Sequence, residues 1–285
     1  MASRKEQKEA ARRQREQLHA QLQASQRKRV RAWVLGGVLA GAIVVAAVFV
    51  IASSKSGAGS SSGFNGVSGA TYHFKTKADA AADAESVLKG IPQTGNVLGN
   101  PDAPVTITEF GDLVCSTCDD FALTSEAQLI AADVATGKVK LVYRADDTAS
   151  SYANASEFTA TQIAARSAGL QRREWDYILI TYNEQPVSIH GKDEELTSYV
   201  SSSYLADIAK QIPGLNVPQW QQGLTDPTLA QAVTADLSAA NNLAPNGTPT
   251  IYVKGPKGNV LYDQNNTLSA VPTLAQLQAL IAQVS

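Results

Sequence analysis

The apolar and polar positions divide this chain into unlike parts. Ala32 to Ala52 is an unbroken run of 21 residues without a charge, rich in Val, Ala, Leu and Ile. At the α-helical rise it reaches about 31 Å, enough for the roughly 30 Å hydrocarbon core of a bilayer. It has no polar face, which argues against a helix buried in a soluble core. Residues 53–70 then turn to Ser and Gly, the composition of a flexible tether. The tether is drawn over 53–90, with room for a short helix near Ala78–Leu88, and a folded domain is expected over 91–285.

Within that domain the period changes repeatedly. Val105, Ile107 and Glu109 alternate with Thr106 and Thr108, as on a half-buried strand, so the first three share one face. Leu123, Ala127, Ile130 and Val134 follow at helical spacing, and Gly137 suits a C-terminal stop. Lys138–Arg144 reads as a strand with Val139, Leu141 and Tyr143 on one face. A strand–helix–strand order implies parallel neighbours and a right-handed crossover. From about 149 to 242 the pattern is helical. Its segments are Glu157–Gly169, Arg173–Tyr182, Leu196–Ile212 and Thr228–Leu243, with breaks at Gln185-Pro186, Pro213-Gly214 and Asp226-Pro227. Trp175, Tyr177 and Tyr182 are assigned to the core of this insertion. Strands resume at Pro249–Val253, and Gly255-Pro256-Lys257-Gly258 turns the chain back into Asn259–Tyr262 as a hairpin. A last helix follows, opened by a capping-box pattern at Thr273 and Gln276, with Leu274, Leu277, Ile281 and Val284 as its apolar stripe.

Charge changes the picture at the N-terminus. Residues 1–31 hold 10 Lys/Arg against 3 Asp/Glu, whereas the rest of the chain holds 14 against 23. Arg27, Lys28, Arg29 and Arg31 stand directly before the apolar run, and only Lys55 follows it closely. The positive-inside rule then makes 1–31 a cytoplasmic tail and 32–52 a single transmembrane helix in the cell membrane, with the remainder extracytoplasmic. A cleaved signal peptide is the competing reading, but its apolar core is normally only about 7–15 residues. The tail has no aromatic residue on which bases could stack, so no nucleic-acid partner is expected.

The candidate chemistry lies where the first strand pattern meets the first helix pattern. Cys115 and Cys118 are the only cysteines in the chain, three apart. Cys115 falls at a helix N-terminus, where unpaired N–H groups and the helix dipole favour a thiolate, the species that attacks disulfides. Glu109 brings a carboxylate on an apolar face close to the thiol pair. Outside the cytoplasm, two cysteines with none left over suit an oxidising compartment. A purely structural disulfide would close too short a loop to remove much unfolded-state entropy. Zinc requires about four ligands, and beyond the membrane only His73 and His190, far apart in sequence, could add to the pair. No metal or cofactor is expected. Asn154-Ala155-Ser156 and Asn246-Gly247-Thr248 match glycosylation sequons by chance.

Cys115-x-x-Cys118 after a strand, Glu109 before it and Gly247-Thr248-Pro249 opening a later strand together resemble the DsbA-like branch of the thioredoxin superfamily. These are extracytoplasmic thiol–disulfide oxidoreductases of bacteria. The resemblance runs from about Val97 to the C-terminus. It takes in Leu98–Val105, the Glu109-Phe110-Gly111-Asp112 run, the helical insertion and Asn246–Val253. It implies an α/β, thioredoxin-like fold with an inserted helical subdomain, here preceded by one N-terminal transmembrane helix. It also implies that Cys115 attacks and Cys118 resolves. Pro249 would be a cis-proline facing the disulfide, the Thr248 backbone would pair with extended substrate, and Glu109 would accept the Cys118 proton. Exported proteins with cysteine thiols are the implied substrates, and a DsbB-like or vitamin K epoxide reductase-like membrane protein is the implied redox partner. The chain departs from the family at Ser116-Thr117, where many relatives carry Pro with an aromatic residue or His. It departs again at Asp119-Asp120, where basic residues are common. Disulfide formation is the expected activity. The alternatives are a reductase or isomerase, and a non-catalytic binding or chaperone module.

Overall fold

The computed structural model describes residues 77–147, 155–186, 199–244, 247–262 and 271–285. All lie in the second of the two units into which the chain divides, Val67–Ser285. The basic tail, the apolar run at Ala32–Ala52, the Ser/Gly stretch, His73, Asn154, His190 and Asn246 lie outside the described residues. Among the described residues no helix is long and apolar enough to cross a membrane.

The period-two segments assemble into one sheet. Its strands are β1 (Gln93–Thr94), β2 (Val97–Leu98), β3 (Val105–Gly111), β4 (Val139–Ala145), β5 (Thr250–Gly255) and β6 (Gly258–Leu261), in the order β1-β2-β4-β3-β5-β6. The expected parallel pair is β3 with β4, and every other neighbour is antiparallel. In this register Ile107 lies between Leu141 and Val253, and Glu109 between Tyr143 and Ile251. Side chains alternate across a strand, so Val105, Ile107, Glu109, Leu141 and Tyr143 share one face, and all are buried. The alternation in the sequence therefore reported a real face. The β5–β6 hairpin closes through a two-residue turn at Pro256-Lys257, where Gly258 takes φ 138°, a conformation strained for any other residue.

The crossover from β3 to β4 is the continuous helix α2, residues 116–134, which ends as expected at Gly137. That glycine adopts φ 77° and its N–H bonds to the Val134 carbonyl at 2.9 Å. The helical insertion contains α3 (Ala155–Gly169), α4 (Glu174–Asn183), α5 (Ser202–Gln211), α6 (Val217–Gly223) and α7 (Pro227–Leu243). Among the described residues that is five helices, where the sequence showed four segments. Helix α5 starts at Ser202 rather than Leu196, because the Ser201 hydroxyl caps it by accepting the Tyr204 N–H. The unforeseen α6 is anchored by Trp220, which stacks on Tyr177 and donates its Nε1–H to the Ala164 carbonyl at 2.8 Å.

The short helix expected near Ala78–Leu88 is present and packs into the core. Lys77–Leu88 is a helix, α1, whose Ala84 and Leu88 lie four apart on one face and join the main core. That core also takes in the buried face of the sheet, α2, much of the insertion and the final helix α8 (Leu274–Val284). The opposite face of β3 carries Phe110, packed against Ala240 of α7 and Ala244 just beyond it.

Candidate active site

The end of β3 builds the site. The Asp112 carboxylate accepts the Val114 N–H at 3.1 Å, and its carbonyl accepts the Cys115 N–H at 3.0 Å. This tight turn stops the strand and delivers Cys115 as the N-cap of α2, with φ −84° and ψ 123°. The Cys115 side chain accepts no N–H from the first turn of the helix. The loop is fastened instead by buried Gln185, just past α4, whose Nε2 donates to the carbonyls of Leu113 at 3.1 Å and Cys115 at 3.2 Å.

Both cysteines are free thiols, and their environments differ. Cys115 keeps 5% of its surface exposed, while Cys118, one helical turn further in, has none. The Cys115 thiol donates to the Thr248 carbonyl at 3.8 Å, and the Thr248–Pro249 peptide is cis. Thr248, Pro249 and the two cysteines, distant in sequence, therefore meet at one place. Glu109 lies beneath them, 1% exposed. Burial raises the Cys118 thiol well above the ordinary thiol range, and the neighbouring Cys115 and Glu109 reinforce that rise. Burial likewise lifts Glu109 well above the usual carboxylate range, helped by the charge of Glu126 and a hydrogen bond with it.

Glu126 was not visible in the sequence as a site residue. It lies on the buried face of α2 with Cys118 and Ala122, on a helix that is not regular throughout. Residues Ala122–Glu126 and Ile130–Val134 are π-helical, between α-helical Ser116–Phe121 and Ala127–Leu129. The buried positions are Cys118, Phe121, Ala122, Ser125, Glu126, Leu129, Ile130, Asp133 and Val134. Two rows with a spacing of four thus replace the expected stripe, of which Leu123 and Ala127 are only half-buried. Wider π turns, often found at functional sites, account for that spacing. Burial pushes Glu126 up to about 7, opposed by its hydrogen bond with Glu109.

Gly111 completes the floor. A β-carbon there would come within 2.7 Å of the Tyr143 ring, 2.9 Å of Glu109 Oε1 and 3.2 Å of the Tyr182 hydroxyl. Tyr182, assigned from sequence to the core of the insertion, therefore also reaches the site. Tyr143 stood on the expected face but carried no signal of a role. In the first turn of α2 the two aspartates part company, Asp119 being buried and Asp120 exposed.

The arrangement offers one reachable sulfur, one buried sulfur that holds its proton, and carboxyls beneath it that titrate high. A family model described as thioredoxin matches residues 92–274. The chain is 28% identical over 171 residues to the probable disulfide bond formation protein D of Bacillus anthracis, covering 60% of this chain and 74% of that one. It is 27% identical over 179 residues to the disulfide bond formation protein D of Bacillus subtilis strain 168, covering 61% and 72%. The crystal structure of oxidised BdbD from Bacillus subtilis superposes with a TM-score of 0.53 at 22% identity, over 68% of this chain and 96% of that one, a likeness of fold.

Proposed function

The chain belongs to the thioredoxin family as a DsbA-like thiol–disulfide oxidoreductase, and from that premise we propose that it forms disulfides in exported proteins through Cys115 and Cys118. The observation that carries this reading is the contrast between the two sulfurs: Cys115 is reachable at the helix start and Cys118 is sealed behind it. In the oxidised state a substrate thiolate attacks the Cys115 sulfur. A mixed disulfide forms, the Cys115–Cys118 bond breaks, and the electron pair stays on Cys118, which takes up a proton. A second substrate thiolate then attacks its partner sulfur and expels Cys115. Two electrons have passed from the substrate dithiol to the cysteine pair. Thr248, whose carbonyl already accepts from Cys115, offers its backbone to an extended substrate beside Pro249. Glu109 manages the Cys118 proton.

The apolar run Ala32–Ala52 and the basic cluster before it support a membrane anchor with the domain outside. The electrons then leave to a membrane partner of the DsbB-like or vitamin K epoxide reductase-like kind. Cys118→Ser should accumulate mixed disulfides with exported proteins, and Cys115→Ser should accumulate none. Equal trapping by both variants, or by neither, would overturn the assignment. Refolding of a reduced, disulfide-requiring protein measured beside insulin reduction separates oxidase from reductase, the direction that acidic Asp119 and Asp120 in the first turn would favour.

A further inference from the structure

We propose that Glu126 is a positioning residue of the thiol–disulfide reaction: it shares a proton with Glu109, and this carboxyl pair, rather than Glu109 alone, stores the proton that Cys118 gains and loses. The inference rests on the oxidoreductase reading above and deepens it. Glu109 comes from β3 and Glu126 from the first π turn of α2, and both side chains are shut from water. Among the described residues, none of their four carboxyl oxygens finds a hydrogen-bond donor when both carboxyls are ionised. The bond that remains available runs between the two, and it exists only while one of them keeps a proton. Two carboxylates enclosed together do not both ionise near neutral pH, because each charge disfavours the other. Burial raises both, and the charge of Glu126 and its hydrogen bond raise Glu109 further while that bond holds Glu126 lower, as expected of a pair that shares one proton.

The groups around the pair fit a proton store. Cys118 lies on the helix above it, Tyr143 on β4 beside Glu109, Tyr182 on α4, and Asp112 on the turn after β3. Burial raises both tyrosines well above their ordinary range, so neither loses its proton before the carboxyls do. When the substrate thiolate attacks Cys115, the electron pair of the broken Cys115–Cys118 bond remains on Cys118. A proton then passes from the carboxyl pair to that sulfur, and the pair becomes more negative by one charge. Reoxidation reverses each transfer. Glu126 sets how strongly Glu109 holds the proton it hands over.

The test is Glu126→Gln, which keeps size and hydrogen bonding but removes the second ionisable group. The amide donates to the Glu109 carboxylate and favours its charged form. The pH midpoint of the Cys118-dependent step, followed as reduction of the oxidised protein by a small dithiol, should fall by about one unit or more. At pH 7 the step should slow by roughly tenfold for each unit. A profile that superimposes on wild type, while Glu109→Gln moves it, would overturn the proposal and leave the oxidoreductase reading intact. Should Glu126→Gln fail to fold, infrared spectra of the wild-type protein decide. The reduced-minus-oxidised difference must contain a change in the carbonyl stretch of a protonated carboxylic acid, and its absence would overturn the proposal. A wild type that exchanges no disulfides at any pH would instead overturn the function, and the infrared band would still report on the pair after chemical reduction.

Discussion

Gln185 shows how a residue with no chemistry of its own can decide the geometry of the site. Its side chain, buried just past α4, donates two hydrogen bonds into the loop that carries Cys115. Removing it leaves two buried carbonyls without that donor, at about 1–3 kcal/mol. Gln185→Ala should therefore lower the denaturant midpoint and speed amide exchange at Val114 and Cys115 specifically. A variant of unchanged stability and unchanged exchange would mean that the Asp112 turn alone holds the loop. Nothing in the sequence marks Gln185, since a glutamine before a proline reads as the end of a helix. The cysteine pair stands out at a strand-to-helix boundary and Glu109 as a carboxylate on an apolar strand face, whereas Thr248 and Pro249 enter only through the family resemblance. Gln185, Tyr182 and Glu126 do not stand out, because polar residues distant in sequence acquire their roles only when packing turns them inward.

The elements divide along the same line. Strands β3, β4 and β5 and the last helix could be read directly, since period-two alternation, a glycine-bounded turn and a capping box are local signals. The capping box at Thr273 forms in full, with the Thr273 hydroxyl accepting the Gln276 N–H and the Gln276 side chain accepting the Thr273 N–H. Thr273→Ala should cost about 0.5–2 kcal/mol, read as a lower unfolding midpoint with redox activity retained, because α8 packs on β5, β6 and the far part of α2, where Gln278 donates to Asp133 at 3.1 Å, beyond the first turn that holds the cysteines. A loss of activity without loss of stability would contradict that separation. Helix α2 was legible in existence but not in its face. Leu123 and Ala127 stand at helical spacing with Ile130 and Val134 yet are only half-buried, whereas Ser125 and Glu126 are buried. Polar Ser125 and Glu126 look like solvent positions unless a buried polar site is already known to face them. The short α6 was missed for a simpler reason: its buried residues are only Trp220 and Gly223, too few to show a period.

At the scale of the whole molecule, α1 joins the core although it is rich in alanine and its apolar face is faint in the sequence. More consequential is a buried charge cluster, invisible in composition, that ties the insertion together. Arg166 of α3 hydrogen bonds Asp236 of α7 and stands 3.8 Å from Glu174 of α4, while Arg144 of β4 donates to Asp236 at 2.8 Å. Burial raises Glu174 to about 7, because Arg166 offsets only part of the desolvation and the Asp236 charge opposes ionisation. The sign follows from proton counts. The unfolded chain releases this proton near its ordinary value of 4.5, whereas the folded protein keeps it to about 7. The folded state thus binds more protons across that window, and stability falls as pH rises through it, by on the order of 3 kcal/mol at most. Glu126, raised by the same cause, contributes with the same sign. Urea midpoints measured at intervals across the window should decline toward neutrality. Glu174→Gln should flatten part of that decline and adding Glu126→Gln should flatten it further, leaving the share of Glu109, which burial raises with the same sign. A wild-type midpoint that does not change with pH would mean that Glu174 is ionised in the folded protein and that its pairing with Arg166 outweighs burial.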